Sequence, residues 1–169
     1  MAIGLTFAAA FFGTAFAAGD SVNVSGNDPA MAAAFKRAAA TLDDFLAKWR
    51  KRPEGTETFT VKVGLMDTSG QPGWAIVRPG ATPPNYVEWF WVSNLREDGA
   101  GFAAELANDA DNLDNVEQGT TVHFERADIG DWMYRKDGKI VGNFTACPAL
   151  AQASPAERRQ YAEMGINCD

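Results

Sequence analysis

The first third of the chain carries its apolar residues at helical spacing. From residue 31 to residue 49 they recur three or four positions apart, which places them on one helix face: Met31, Phe35, Ala38, Leu42, Phe45 and Trp49. Asp28 is a residue type that caps helices, and Pro29 suits a first turn. The stretch KWRKRPEG places basic residues before Pro53 and Gly55, which is typical of a helix end. The pattern therefore predicts one amphipathic helix between Asp28 and this stretch.

The middle of the chain alternates apolar and polar residues, which is the period of a β-strand. The alternation is clearest in ETFTVKVGLMD (57–67), where every second residue from Phe59 to Leu65 is apolar. YVEWFWVSNL (86–95) is apolar on both faces, as expected of a strand inside a sheet. TVHFE (121–125) repeats the alternation. These three segments predict the strands that carry the sheet.

Two further segments are less regular. The Gly- and Pro-rich residues 68–85 predict a loop, with a short edge segment at Trp74–Val77. FAAELAND (102–109) fits a strand by its alternation and a helical turn by its alanine content.

The stretch IGDWMYRKDGKIVGNFT (129–145) predicts a β-hairpin, because Asp137-Gly138 between strand-like residues favours a type I′ turn. Ser154 and Pro155 are typical of the start of a second helix. The order of elements predicts an α+β fold: an antiparallel sheet of about five strands packed against an N-terminal helix, with a short C-terminal helix.

The N-terminus MAIGLTFAAAFFGTAFAAGD has the apolar run and the small-residue end of a secretory signal peptide. We predict a signal peptide at residues 1–18, with cleavage near Ala17-Gly19, a flexible linker at 19–27, and a single domain at 28–169. Because no Lys or Arg precedes the run, an uncleaved membrane anchor is the alternative. We expect a periplasmic or secreted protein without stable membrane insertion after cleavage.

Composition limits the classes of partner. Hydrophobic residues make up 46% of the 169 positions, which is typical of a folded domain. The formal net charge is -7 and the sequence pI about 4.7. An acidic surface repels phosphate backbones, so we expect no nucleic-acid partner and favour a basic protein partner. The nucleotide-binding glycine motifs do not occur, so no cofactor is predicted. Composition does not determine the oligomeric state.

The two cysteines, Cys147 and Cys168, lie near the C-terminus. In an exported chain an even pair predicts one disulfide, which would close a loop of about twenty residues. A metal pair or a redox dithiol is the alternative, although the pair has neither C-x-x-C spacing nor a nearby histidine.

Carboxylates and the single histidine are the candidate catalytic groups. Asp128 and Asp131 flank Ile129-Gly130, and with Glu88 and His123 they would provide acid–base chemistry if they shared a pocket. The alternative for Asp128 and Asp131 is hydrogen bonding to the backbone of a turn. One histidine and two cysteines that are expected to be oxidised supply too few ligands for zinc, so no metal site is predicted.

The tryptophans in the strands are the candidate binding residues. Trp89 and Trp91 share one face of their strand, opposite Phe90. Because both faces cannot contact the same helix, one of them is covered by another segment or forms a binding groove. Trp132 joins this set, with packing in the core as the alternative for all three.

Several of these stretches together resemble one bacterial family, the YegJ-like proteins, classified as domain of unknown function 2314. The resemblance covers about residues 28–160. It is carried on the helix by DPAM, Thr41-Leu42 and Phe45, and beyond it by FTVKV, EWFWV, G-F-x-x-x-L-x-N (101–108), IGDWMY and GKIVGNFT. Trp89 stands where the family usually has a histidine, and Cys147 where it often has a basic residue. The resemblance implies a single α+β domain and assigns no catalytic residue.

These observations favour an exported, non-enzymatic binding module of the cell envelope, for example an inhibitor- or immunity-type protein with a basic partner. The alternative is a small-ligand-binding protein or a hydrolase-like enzyme that uses Asp128 and Asp131 beside an aromatic groove.

Overall fold

The structure is a computed structural model, and it describes residues 28–82, 85–114, 116–151, 153–163 and 165–166. The predicted signal peptide, the predicted linker and Cys168 lie outside these residues. The elements in chain order are α1 (Pro29–Lys51), β1 (Thr56–Asp67), β2 (Trp74–Val77), β3 (Val87–Asp98), β4 (Gly101–Leu106), β5 (Thr121–Phe124), a 3₁₀ helix (Arg126–Asp128), β6 (Ile129–Lys136), β7 (Lys139–Gly142), α2 (Ala146–Leu150) and α3 (Pro155–Glu163).

Among the described residues the strands form one antiparallel sheet in the order β5-β4-β3-β1-β6-β7, with β2 paired to the end of β1. The predicted α+β class and the antiparallel sheet are confirmed. The sheet has seven strands, because the two less regular segments, Trp74–Val77 and Gly101–Leu106, both pair as strands. β4 is a strand because it bonds to β3 on one side and to β5 on the other.

Helix α1 begins as predicted. Asp28 Oδ1 accepts hydrogen bonds from the backbone N–H groups of Ala30 and Met31, at 2.7 and 3.1 Å. Its apolar face packs on one face of the sheet, here termed the helix face. Phe45 is fully buried there and contacts Phe59 and Trp132. The predicted hairpin is also present, since Asp137 and Gly138 both have positive φ, as a type I′ turn requires.

The opposite face of the sheet, here termed the second face, carries a polar row across three strands. Trp91 of β3 pairs with Lys62 of β1, and Lys62 pairs with Asp131 of β6. Thr145, just before α2, bonds to both Lys62 and Asp131. The short helix α2 was not predicted, and its buried Ala146 and Leu150 follow directly after this contact.

Candidate functional site

The buried polar row on the second face is the first candidate site. Asp131 is fully buried and Thr145 is 2% exposed. Asp131 Oδ2 accepts hydrogen bonds from the Thr145 hydroxyl at 2.7 Å and from the Thr145 backbone N–H at 2.8 Å. Its Oδ1 accepts the backbone N–H of Trp132 at 2.8 Å. Lys62 Nζ donates to Thr145 Oγ1 at 2.8 Å and lies 4.5 Å from the centre of the Trp91 ring. We call Lys62, Trp91, Asp131 and Thr145 the second-face cluster.

The charges of this cluster are coupled. Burial lowers the pKa of Lys62, and the nearby Asp131 carboxylate raises it in part. The Thr145 hydroxyl connects the two, because it accepts from Lys62 and donates to Asp131. Each polar group therefore has a partner, as buried polar groups need. The arrangement holds the chain before α2 against the sheet, and it makes the cluster a stabilising network.

The second candidate site is an open cleft of about 720 Å³ at the β2 side of the sheet. We call it the recognition cleft. Its floor is apolar and comes from β1, β2, β4 and β5, together with one loop residue: Met66, Ile76, Val77, Ala81, Phe102 and Phe124. A floor of this kind gains free energy by covering apolar side chains of a ligand.

The rim of the recognition cleft carries two groups of ion pairs. Arg78 Nε lies 3.0 Å from Asp128 Oδ1, and an Arg78 Nη atom lies 2.7 Å from Glu125 Oε2. His123 Nδ1 lies 2.7 Å from Asp98 Oδ2. The hydrogen bond to Asp128 and the charges of Asp128 and Glu125 raise the pKa of Arg78. The rim thus carries three carboxylates, those of Asp98, Glu125 and Asp128, against the single guanidinium of Arg78, so negative charge is in excess there.

The predicted catalytic groups do not all meet in one place. Asp128 and His123 line the recognition cleft, whereas Asp131 lies in the second-face cluster. The Glu88 carboxylate accepts the backbone N–H groups of Asp111 and Asn112 at 2.8 and 3.0 Å and so holds that loop. Asp128 also performs the predicted turn chemistry, since its Oδ2 accepts the backbone N–H of Glu125 at 2.8 Å.

The three candidate tryptophans occupy different environments. Trp132 lies in the core, where its indole N–H donates to the Ala38 carbonyl at 3.0 Å. Trp89 packs against Phe35 of α1, with ring centres 4.8 Å apart. Trp91 is the aromatic member of the second-face cluster. Trp89 and Trp91 keep partial exposure, but neither lines the recognition cleft.

Sequence reasoning did not single out Lys62, Thr145 or Arg78. A lysine in the middle of the apolar strand FTVKV is a signal that could have pointed to Lys62, because a charge on a covered strand face requires a partner. Thr145 and Arg78 lie in segments whose polar residues look like ordinary loop positions, and the sequence carries no comparable signal for them.

Two further properties concern the described part of the chain. No three His, Cys, Asp or Glu side chains there lie close enough together to hold a metal ion. None of its helices combines the length and the hydropathy that a bilayer span requires.

Comparison with known proteins identifies the family. The family described as "Uncharacterized protein conserved in bacteria (DUF2314)" matches residues 28–168. The chain belongs to the DUF2314 family. The resemblance predicted from the motifs is thereby confirmed.

Two relatives of this DUF2314 protein have names that state no biochemical activity. "Uncharacterized protein YegJ" of Escherichia coli K12 is 30% identical over 132 residues, which cover 78% of this chain and 74% of that protein. "Putative ankyrin repeat protein NMB1133/NMB1171" of Neisseria meningitidis is 35% identical over 81 residues, which cover 47% of this chain and 32% of that protein. No solved structure matches the chain.

Four of the motifs that carry the DUF2314 resemblance meet in the second-face cluster. FTVKV, EWFWV, IGDWMY and GKIVGNFT supply, in order, Lys62, Trp91, Asp131 and Thr145. The cluster therefore links three strands, β1, β3 and β6, to the segment that precedes α2.

Proposed function

We propose that this DUF2314 protein is an exported, non-enzymatic binding module of the bacterial cell envelope, and that it recognises a basic protein partner through the recognition cleft. An inhibitor- or immunity-type role is one concrete form of this function. The observation that carries the proposal is the cleft itself: an open volume of about 720 Å³ with an apolar floor and an acidic rim.

Electrostatics support the basic partner. The whole chain has a formal net charge of -7, and Asp98, Glu125 and Asp128 bring negative charge to the rim. Complementary charge speeds association and rejects partners of the wrong sign. The apolar floor then provides the burial that holds the complex together.

The separation of the candidate catalytic groups favours binding over catalysis. Asp131 is enclosed by the hydrogen bonds from Thr145 and Trp132 and does not line the recognition cleft. Asp128 is engaged by Arg78 and by the backbone of Glu125. Asp128 and Asp131 therefore lie at different sites and cannot act on one substrate as the acid–base pair that the sequence suggested.

Export is supported by the N-terminal sequence, whose apolar run and A-x-A end are two features of a signal peptide, although no basic residue precedes the run. Edman sequencing or intact-mass analysis of the protein, together with its distribution among cytoplasmic, periplasmic and membrane fractions, tests this part directly. A periplasmic protein that begins at Ala18 or Gly19 supports export with cleavage. An intact Met1 in the membrane fraction indicates the uncleaved anchor, and recovery from the cytoplasm alone contradicts export.

The binding role is tested by affinity capture from an envelope extract, with the chain from Gly19 onward as bait. Ala81 is exposed and lines the recognition cleft, so Ala81→Arg adds bulk and positive charge there. Ala47 is exposed on α1 and lines neither the recognition cleft nor its rim, so Ala47→Arg is the matched control.

We expect one stoichiometric basic partner that is retained by Ala47→Arg, lost with Ala81→Arg, and released by raised salt. Equal capture by both variants would place recognition elsewhere. Capture of no protein, together with a small molecule found by mass spectrometry of the purified chain, would favour the alternative of a small-ligand-binding protein.

A further inference from the structure

A second cleft lies between α1 and the segment that joins β5 to β6, and it shares no lining residue with the recognition cleft. We call it the helix cleft. Its volume is about 320 Å³, which falls within the range of about 300–1,000 Å³ for small-molecule sites. The floor is apolar: Phe35 is half-buried, and Leu42 and Ile129 are 2% and 4% exposed. Such a floor favours an alkyl chain over a polar ligand, because the binding free energy comes from removing apolar surface from water.

The mouth of the helix cleft stays open because the residues around it are small. Ala32, Ala39 and Gly80 line it and are exposed. A large side chain at Ala39 would therefore cover the floor, whereas the same change elsewhere on the exposed face of α1 would not.

The charged residues that line the helix cleft, Lys36 and Arg126, are both cationic, although the chain as a whole is acidic. In the part of the chain that the structure describes, Lys36 makes no ion pair or hydrogen bond through its side chain. Arg126 donates to Asp43 Oδ1 at 2.7 Å, and both side chains are largely exposed, at 49% and 86%. A pair this exposed contributes at most about 1 kcal/mol, so Arg126 can exchange Asp43 for an external anion at little cost.

We propose that the helix cleft binds a small anionic amphiphile, a single alkyl chain that ends in a carboxylate. The alkyl chain covers Phe35 and the exposed Ala32 and Ala39, and the carboxylate accepts hydrogen bonds from Lys36 and Arg126. This proposal does not rest on the partner proposed for the recognition cleft, and the two clefts share no lining residue.

The test is isothermal titration of the chain from Gly19 onward with dodecanoate, below its micelle concentration. Dodecyltrimethylammonium has the same alkyl chain with the opposite charge, and we expect it to bind at least about tenfold more weakly. Lys36→Gln should weaken dodecanoate binding by a similar factor, because it removes a charged hydrogen bond. Asp43→Asn should tighten binding, since it releases Arg126. Lys51→Gln, on the last turn of α1 and outside the helix cleft, is the matched control.

Two phenylalanine variants distinguish binding in the helix cleft from non-specific binding elsewhere on the surface. Ala39→Phe should abolish dodecanoate binding, and Ala47→Phe, also exposed on α1 but outside the cleft, should leave it unchanged. The proposal is overturned by equal binding in these two variants, by equally tight binding of the cationic amphiphile, or by a wild-type chain that binds no dodecanoate. Circular dichroism of each variant checks that it is folded.

Discussion

Thr145 donates both its backbone N–H and its hydroxyl to one oxygen of Asp131, at 2.8 and 2.7 Å. Asp131 is fully buried, so these hydrogen bonds and the one from the Trp132 backbone N–H replace the hydrogen bonds that its carboxylate would make to water. A buried carboxylate without partners costs several kcal/mol. The position of the chain before α2 is therefore coupled to the middle of the sheet through this pair.

Removal of the Asp131 carboxylate should strongly destabilise the protein. Asp131→Ala leaves Lys62 without its counter-charge and the Thr145 N–H without an acceptor, so we expect the free energy of unfolding to fall by about 3–5 kcal/mol. Urea unfolding followed by circular dichroism measures this loss. Asp114→Asn removes an exposed carboxylate and should change stability by less than about 0.5 kcal/mol. A similar small effect in Asp131→Ala would show that the second-face cluster contributes little.

Lys62 should make the stability rise with pH in the alkaline range. Burial lowers its pKa below the ordinary value of 10.5, so between the folded-state pKa and 10.5 the unfolded chain binds more protons than the folded one. Stability then increases with pH across this window. The difference in unfolding free energy between wild type and Lys62→Met should therefore grow in favour of wild type as pH rises toward 10.5. A difference that stays constant with pH contradicts the shift.

Tyr86 should change the stability with pH in the direction opposite to Lys62, so it serves as a control in the same measurements. Burial, together with the charges of Glu88 and Asp111, raises its pKa above 10.0. The unfolded chain therefore loses this proton first, and stability falls as pH rises through 10. Wild type should therefore lose stability relative to Tyr86→Phe as pH rises above 10, whereas its gain relative to Lys62→Met ends at 10.5.

Gly130 should not tolerate a methyl group. A Cβ atom there would lie 2.5 Å from Trp89 Cζ3 and 3.2 Å from Phe35 Cε1, so the Trp89–Phe35 contact would have to shift. We expect Gly130→Ala to cost about 1–3 kcal/mol of stability through overpacking. Gly70→Ala is the control, because its nearest neighbour would be Thr68 Oγ1 at 3.9 Å, an ordinary contact. Equal midpoints of thermal unfolding in the two variants would rule out close packing at Gly130.

The disulfide between Cys147 and Cys168 stays a prediction, because Cys168 lies outside the described residues. Alkylation of the unfolded, unreduced protein followed by mass spectrometry should find no alkylated cysteine in material from the periplasm. Cys147→Ser with Cys168→Ser should lower the free energy of unfolding by roughly 3 kcal/mol, the loop-entropy value for about twenty residues. Two alkylated cysteines in the wild-type protein would exclude the bond.

The sequence by itself determined the features that depend on neighbouring residues. The helical period and Asp28 predicted α1, and Asp137-Gly138 predicted the last hairpin. Alternation predicted β1 and β5, and a run that is apolar on both faces predicted β3. These elements form locally because capping, periodic burial and turn geometry act over a few positions. The family motifs likewise lie in short stretches, so the DUF2314 membership could be predicted before any coordinates.

Only the tertiary structure decided which polar residues meet. Lys62 and Thr145 are 83 positions apart, and they are brought together by the pairing of β1 with β6 and by the return of the chain after β7. Asp128 and Asp131 are three positions apart, yet they belong to different sites. Arg78 reaches Asp128 from a loop 50 positions away. Strand order and register depend on long-range packing, so no local pattern contains them.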